Sequence, residues 1–566
     1  MILSAISLWK KFNLKNPLGA SEWGIEEKDG IRHSHVSFSG NAAPDGSVRV
    51  YARFGRPSDN GKKPCILLLP DAGKGPDKEM MDYFIAKGYA VLMPDYSGKM
   101  STDEEGVMRT IYPASLDYGN YERAKGLYDM KKLEADKTTW FEWTYVALYS
   151  IKYLKSRTDV GNIGVVGIRK GGEIAWHAML SPDVKCGIPV NAAGWRSFLH
   201  IAKFGDNIAH NLSDDRHRYI AAVEAQSYAP YVNCPVLMLC ALRDAEFDCD
   251  RAYDTYSRIG TPYGNALAYS SESGACIGPY GLADMELFLE KNLKGREIYI
   301  PDTLNVGLKE VEGQIEVTVD CDKEGILEET GVFYAEADVK TKSTFREWRC
   351  VYKVDGKSVK NGRAVCKIKP FEGAKAVFVY AYAKYINGFR VMSKIISKRM
   401  SKPDPMAVKS RMLFSGKEMD AFGVADYKHY SIGGIFLERD AIPKAALGYG
   451  NIRGAYSMGG IRTYKISSPK YIPDENALLE FDVYSAVSQT LEVSVEVADV
   501  DKTEERYSCT VDVRGGGKWK RIILRAADFK GESSGAPLQN FFDGSALVFA
   551  CHGEEQGFAV TNILWL

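Results

Sequence analysis

Residues 163–180 constrain the fold of this chain more than any other stretch. Ile163-Gly-Val-Val-Gly-Ile168 is a short, continuous apolar run. It passes through a Gly167-x-x-x-Gly171 turn into a helical pattern over Glu173–Leu180. A buried strand, a glycine-bounded turn and a helix form one unit of a mostly parallel sheet covered on both faces. The neighbouring sequence repeats the pattern. Strands are expected at 35–39, 48–54, 66–70, 90–94, 163–168, 186–190, 236–241 and 266–270. Helices are expected at 78–87, 139–156, 173–180, 250–259 and 282–292. Residues 100–137 form an insertion rich in Tyr, Asp, Glu and Lys, and 195–228 a cap over the sheet edge where ligand sites of such sheets lie.

The pattern changes after Leu293-Lys-Gly. Residues 297–398 show about seven short alternating runs, as in an Ig-like sandwich. A polar, proline-marked linker (Ser397-Lys-Arg-Met-Ser-Lys-Pro-Asp-Pro) leads to a second all-β stretch at 407–566 with glycine-rich turns, as in a jelly roll. The expected architecture is therefore a multidomain chain, with an α/β domain at 1–296 followed by two all-β sandwich domains at 297–398 and 407–566. A length of 566 residues suits three or four domains at roughly 150 residues each.

Four stretches of the first domain resemble the α/β-hydrolase superfamily near its acetyl-xylan esterase and dienelactone hydrolase branches. Leu67-Leu-Leu-Pro-Asp71-Ala-Gly stands at the family's oxyanion loop, and Leu92-Met-Pro-Asp-Tyr-Ser-Gly resembles its Asp-Tyr-x-Gly. Gly167-Ile-Arg169-Lys170-Gly-Gly is the nucleophile elbow, and Pro235-Val-Leu-Met-Leu-Cys-Ala-Leu-Arg-Asp244 delivers the acid. The resemblance implies a Ser–Asp–His triad. Here the serine position is Arg169, and the register against the last helix puts Cys276 at the histidine position. No histidine occurs from 218 to 428 to replace it. A guanidinium stays protonated and cannot attack a carbonyl. With nucleophile and base both replaced, no serine-type hydrolysis is expected.

Two readings of Arg169 stand open. At a helix N-terminus it makes an anion clamp, with Lys170 and Asp71 beside it, suited to a carboxylated sugar. Alternatively it pairs with Asp244 and fills the old cleft. A third possibility is an active carbohydrate-ester or acyl hydrolase with Cys276 or a cap histidine (His200, His210, His217) in an unusual role. His177 reads as a core residue. Ser457, in Ala455-Tyr-Ser-Met-Gly, mimics an elbow but has no helix after it.

The last domain resembles the galactose-binding-like modules of carbohydrate-active proteins, through Gly517-Lys-Trp-Lys-Arg-Ile-Ile-Leu and Phe558-Ala-Val-Thr-Asn-Ile-Leu-Trp-Leu. Trp519 and Trp565 are expected to be packed, which leaves Tyr427, Tyr430, Tyr449 and Tyr456 as sugar platforms. The expected partner is a carbohydrate or small anionic ligand. Lys plus Arg and Asp plus Glu balance at 73 each, so neither nucleic acid nor an anionic membrane is implied. No metal or cofactor is expected, since the 11 cysteines are scattered and no Cys-x-x-Cys or His-x-x-x-His occurs. Without a recognisable signal peptide, these cysteines suggest a cytoplasmic protein.

Overall fold

In the computed structural model the first domain is organised by nine strands: β1 (Ser21–Lys28), β2 (Ile31–Ala43), β3 (Gly46–Pro57), β4 (Lys63–Leu69), β5 (Ala90–Pro94), β6 (Val160–Ile168), β7 (Val184–Val190), β8 (Leu237–Ala241) and β9 (Ala266–Ser270). They form one sheet in the order β1-β2-β3-β5-β4-β6-β7-β8-β9. The first three strands and β5 join antiparallel, and every pairing from β5–β4 to β8–β9 is parallel. The structure describes residues 3–100, 102, 106–119, 134–199, 201–205, 212–270, 275–338, 341–426, 431–437, 444–447, 449–498, 504–551 and 557–566.

Helices α1 (Ala5–Trp9), α2 (Lys78–Ala86), α3 (Thr139–Ser156), α4 (Lys170–Ala178), α5 (Asp214–Ala222), α6 (Ala225–Tyr228), α7 (Ala252–Tyr256) and α8 (Pro279–Lys294) accompany the sheet. Strand β4 is buried from Cys65 to Leu69, as expected of a strand covered on both faces. Each such aliphatic side chain contributes about 1.5–3 kcal/mol. Thr138 caps α3 by accepting from the Phe141 N–H at 3.3 Å. Asp95, fully buried after β5, ties down the insertion by accepting backbone N–H bonds from Thr110 (3.1 Å) and Lys99 (3.3 Å).

The sequence pattern misplaced a few elements. Strand β1 and helices α1 and α5 were not anticipated, because β1 is exposed along nearly its whole length and α5 is strongly polar. Helix α4 begins at Lys170, since the turn after β6 is tight enough to enter the helix at once. The helix expected over 250–259 is a 3₁₀ turn at Cys249–Arg251 followed by the short α7.

Beyond α8 the described structure is antiparallel sheet. β10 (Asn305–Val311), β11 (Gln314–Asp320) and β14 (Arg363–Ile368) form one sheet. β13 (Arg349–Asp355), β12 (Leu327–Ala337), β15 (Ala376–Tyr385), β16 (Arg390–Met392) and β17 (Ile396–Arg399) form a second, facing one. The remaining strands, from Met412 to Trp565, make two six-stranded sheets and a small hairpin of Ser431–Ile432 with Phe436–Leu437. The three parts are knit together. Apolar side chains of β4, β5, α2 and α8 form one continuous cluster with those of β11, β12 and β15. Arg346 and Asp250 form a buried two-point ion pair between the first two parts (2.6 and 2.8 Å). The 431–437 hairpin reaches back to the loop after β9, where Ile277 donates to Ile435 O (2.7 Å) and Leu437 donates to Ile277 O (2.8 Å).

Candidate functional site

The turn between β6 and α4 keeps the geometry of a nucleophile elbow. Arg169 sits at φ 51°, ψ −111°, a region costly for any residue with a Cβ. Its N–H donates to Val190 O on β7 (2.8 Å), and its carbonyl accepts the Glu173 N–H (3.0 Å) to start α4. The flanking glycines are sterically required. A Cβ on Gly167 would lie 2.3 Å from Gly171 O, and one on Gly171 would lie 2.2 Å from Pro70 O.

The side chain lifted by this elbow is a salt-bridge partner. Arg169 Nη2 lies 3.2 Å from Asp244 Oδ1 and 3.2 Å from Glu246 Oε1, and its Nε is 3.8 Å from Asp71 Oδ2. Lys170 Nζ binds Glu246 Oε2 at 2.5 Å, and Arg196 Nη2 reaches the same oxygen at 3.0 Å. Glu173, beneath them, accepts from the Tyr219 hydroxyl (3.0 Å) and lies 3.8 Å from Arg196. Three cations thus meet four carboxyl groups. Asp244 has a fully buried side chain, and burial raises its pKa despite the opposing pull of Arg169. Burial also works on Glu246, but Arg196, Lys170 and Arg169 outweigh it and hold that carboxyl below its ordinary value. Burial raises Glu173 to about 7.

The backbone donors next to the elbow are occupied as well. Asp71 Oδ1 accepts from the Lys170 N–H (3.3 Å) and from the Ala72 N–H (2.9 Å). These are the groups after the nucleophile position and in the loop after β4 that would polarise a substrate carbonyl in an esterase. Here a carboxylate of the protein itself covers them.

Cys276 is buried with Val424 and Leu437 in a small apolar cluster, while its neighbour Ala275 lines the clefts beside Arg169. His177 is buried on α4. Its ring bonds Thr144 Oγ1 and Val223 O (2.7 Å each), and burial lowers its pKa to about 4. His217 lies on α5. His200, His210, Tyr427 and Tyr430 lie outside the described residues. Trp565 is buried and donates to Tyr471 O (2.8 Å), whereas Trp519 is half-buried against Tyr484. Ser457 stands on a strand paired with Phe558.

Sequence reasoning missed Glu246, Arg196 and Glu173. Glu246 was within reach, two residues past Asp244 on the same loop. Arg196 comes from the cap, and no sequence spacing relates it to the elbow.

Two clefts open at Arg169. One, of about 610 Å³, runs past Asp71, Met80 and Met93 and is bounded by hairpin residues Gly433–Ile435. The other, of about 540 Å³, lies between Arg169, Asp244 and the C-terminal strands carrying Arg462, Glu496 and Arg506, with Tyr464 just past the end of the first of them.

This sheet order, elbow and acid loop are those of an α/β-hydrolase-like domain with antiparallel β sheets after it. Residues 50–261 match the model of the dienelactone hydrolase family. Among solved structures, the acetyl xylan esterase from Paenibacillus sp. R4 is 16% identical over 51% of this chain and 92% of its own, with a TM-score of 0.39. Acetyl xylan esterase 1 from Thermoanaerobacterium sp. JW/SL YS485 is 16% identical over 50% and 91%, with a TM-score of 0.38. A cold-adapted esterase from an Arctic intertidal metagenomic library is 12% identical over 48% and 99%, with a TM-score of 0.33. No curated protein matches the chain.

Proposed function

We propose that this chain is a non-hydrolytic α/β-hydrolase-like protein that binds a carbohydrate in the cleft between Arg169 and the C-terminal strands. One observation carries the loss of hydrolysis. The side chain on the elbow is Arg169, and its guanidinium is engaged with Asp244, the acid position, and with Glu246. Asp71 over the neighbouring N–H groups supports the same reading. So does Cys276, which packs against Val424 and Leu437.

The chemistry of the cleft supports a ligand rich in hydroxyls. Its walls carry Arg169, Arg243, Arg462 and Arg506 against Asp244, Glu496, Glu504, Glu505 and Glu532. Several of these pair with one another, as Arg462 does with Glu496 at 2.7 Å. Such walls present donors and acceptors in near balance, which suits the alternating hydroxyls of a sugar. Of the two ligands the sequence suggested, the neutral one fits this balance better. A carboxylated sugar would compete with Asp244 and Glu246 for Arg169 and face the remaining glutamates.

The test has two arms. A serine-reactive fluorophosphonate should leave residues 1–296 unlabelled, and p-nitrophenyl acetate should not turn over. Stoichiometric labelling in that region overturns the non-hydrolytic reading. Calorimetry with neutral oligosaccharides and with uronic acids addresses the ligand. Binding that survives Arg462→Ala and Tyr464→Ala unchanged removes the carbohydrate from this cleft.

A further inference from the structure

A third cleft, of about 380 Å³, lies where the end of β9 and the first turn of α8 meet the sheet of β12, β15 and β16. None of its lining residues belongs to the two clefts at Arg169. Its central feature is Arg390 on β16. The guanidinium is held between two tyrosine rings, 4.2 Å from the centroid of Tyr280 and 4.4 Å from that of Tyr382. It makes no ion pair or side-chain hydrogen bond with any described residue, and its buried Nε has no partner. A guanidinium in this setting ordinarily has a carboxylate.

Glu329 and Glu328 are committed elsewhere. Glu329 accepts from the Tyr382 hydroxyl (2.6 Å) and pairs with Lys353 (2.6 Å). Glu328 pairs with Lys384 (2.7 Å). Asp284, which does not line the cleft, accepts the backbone N–H of Arg390 (2.9 Å), and burial raises its carboxyl well above the ordinary value against the opposing pull of Arg390. With Lys353 paired to Glu329 and Lys384 to Glu328, Arg390 is the excess positive charge of the lining, with no carboxylate paired to its side chain among the described residues. Helix α8 adds to this excess. Its N-cap, Gly278, offers no side chain, and its first turn holds no acidic residue. The N–H groups of Tyr280 and Gly281, which line the cleft, have no acceptor among the described residues. Such a helix end favours an anion. Phe333 and Tyr380, stacked at 5.0 Å and 8°, supply a flat apolar wall.

We propose that this cleft binds a small organic carboxylate, its charge received by Arg390 and the start of α8 and its body laid against the aromatic wall. The site stands independently of the carbohydrate reading at Arg169. Uronic acids and aromatic acids share this chemistry. Calorimetry on the full chain with D-glucuronate and with benzoate separates them, with D-glucose and inorganic phosphate as controls. At least one carboxylate should bind, more tightly than either control. Arg390→Gln should weaken it about tenfold or more, the loss of a charge-assisted contact. Lys353→Gln, at a solvent-exposed position that leaves the fold intact, should weaken it several-fold by releasing Glu329 toward the ligand. Arg169→Ala should leave it unchanged. The proposal is overturned if neither carboxylate binds, if phosphate or glucose binds as tightly, if both Arg390→Gln and Lys353→Gln leave affinity untouched, or if Arg169→Ala abolishes binding.

Discussion

Replacing Arg346 by Met tests what holds the first two parts of the chain together. Arg346 and Asp250 are 1% and 2% exposed in their side chains, and they meet through two parallel bonds of 2.6 and 2.8 Å. The guanidinium also lies 3.6 Å from the centroid of Phe378, so the methionine stem retains part of the packing. What the substitution removes is the charge. Asp250 is then left buried beside Asp248, whose carboxyl is already raised to about 6 by burial and by Asp250 itself. Of the two nearby arginines only Arg251 remains, 3.3 Å from Asp248. Breaking a buried pair in this way costs about 3–5 kcal/mol, against at most about 1 kcal/mol for an exposed pair. The calorimetric transition carrying the β10–β17 part should fall by on the order of 10 °C. Adding Asp250→Asn to Arg346→Met should recover most of that loss, because the stranded charge is gone. A cost below about 1 kcal/mol for Arg346→Met, or no recovery in the double variant, would refute the reasoning.

Further outcomes follow from the same structure. Arg169→Gly should be more stable than Arg169→Ala by about 1–2 kcal/mol in urea unfolding, since both lose the ion pairs but only glycine is relaxed at φ 51°. Gly171→Ala should destabilise by about 1–3 kcal/mol or prevent folding, because its Cβ meets two backbone carbonyls. Burial raises Glu142 from 4.5 to about 7. Its contribution is complete below pH 4.5 and is lost as pH rises through 7, so Glu142→Gln should gain up to ~3 kcal/mol at pH 8.5 and little at pH 4. The sign reverses for His177, whose pKa is lowered from 6.5 to about 4. The unfolded chain takes up the proton first, so ~3 kcal/mol of stability should disappear between pH 6.5 and 4, and His177→Gln should flatten that slope in pH-dependent denaturation.

The legibility of this chain varied with the range of the interactions involved. Strands β5 and β9 and helix α3 have the bounds their apolar patterns indicate, because each pattern repeats over a whole buried element. Strand β1 has no such pattern, being held by its pairing to β2 and by polar contacts such as Glu22 with Arg157 (2.9 Å) and Trp23 with Gly106 O (3.1 Å). At the elbow, Gly167 and Gly171 reported the geometry directly, since each touches backbone that a Cβ would strike. Glu246 and Arg196 went unremarked, because nothing local distinguishes a carboxylate or guanidinium that closes a salt bridge from one that faces water.

The sequence by itself settled that the first domain is an α/β-hydrolase-like sheet and that an arginine stands on its elbow, where no acyl-transfer nucleophile remains. Both follow from near-neighbour chemistry: period, glycine placement and the pKa of a guanidinium. Only the tertiary structure decided where that charge goes. Arg169 turns to Asp244 and Glu246, Asp71 lies over the backbone donors, and Cys276 is packed beneath residues of the last β sheets. These contacts join residues 75 or more positions apart in the chain. Their partners are chosen by which side chains the sheet order and the docking of the later strands bring within a few ångströms, and that information is distributed over the whole molecule.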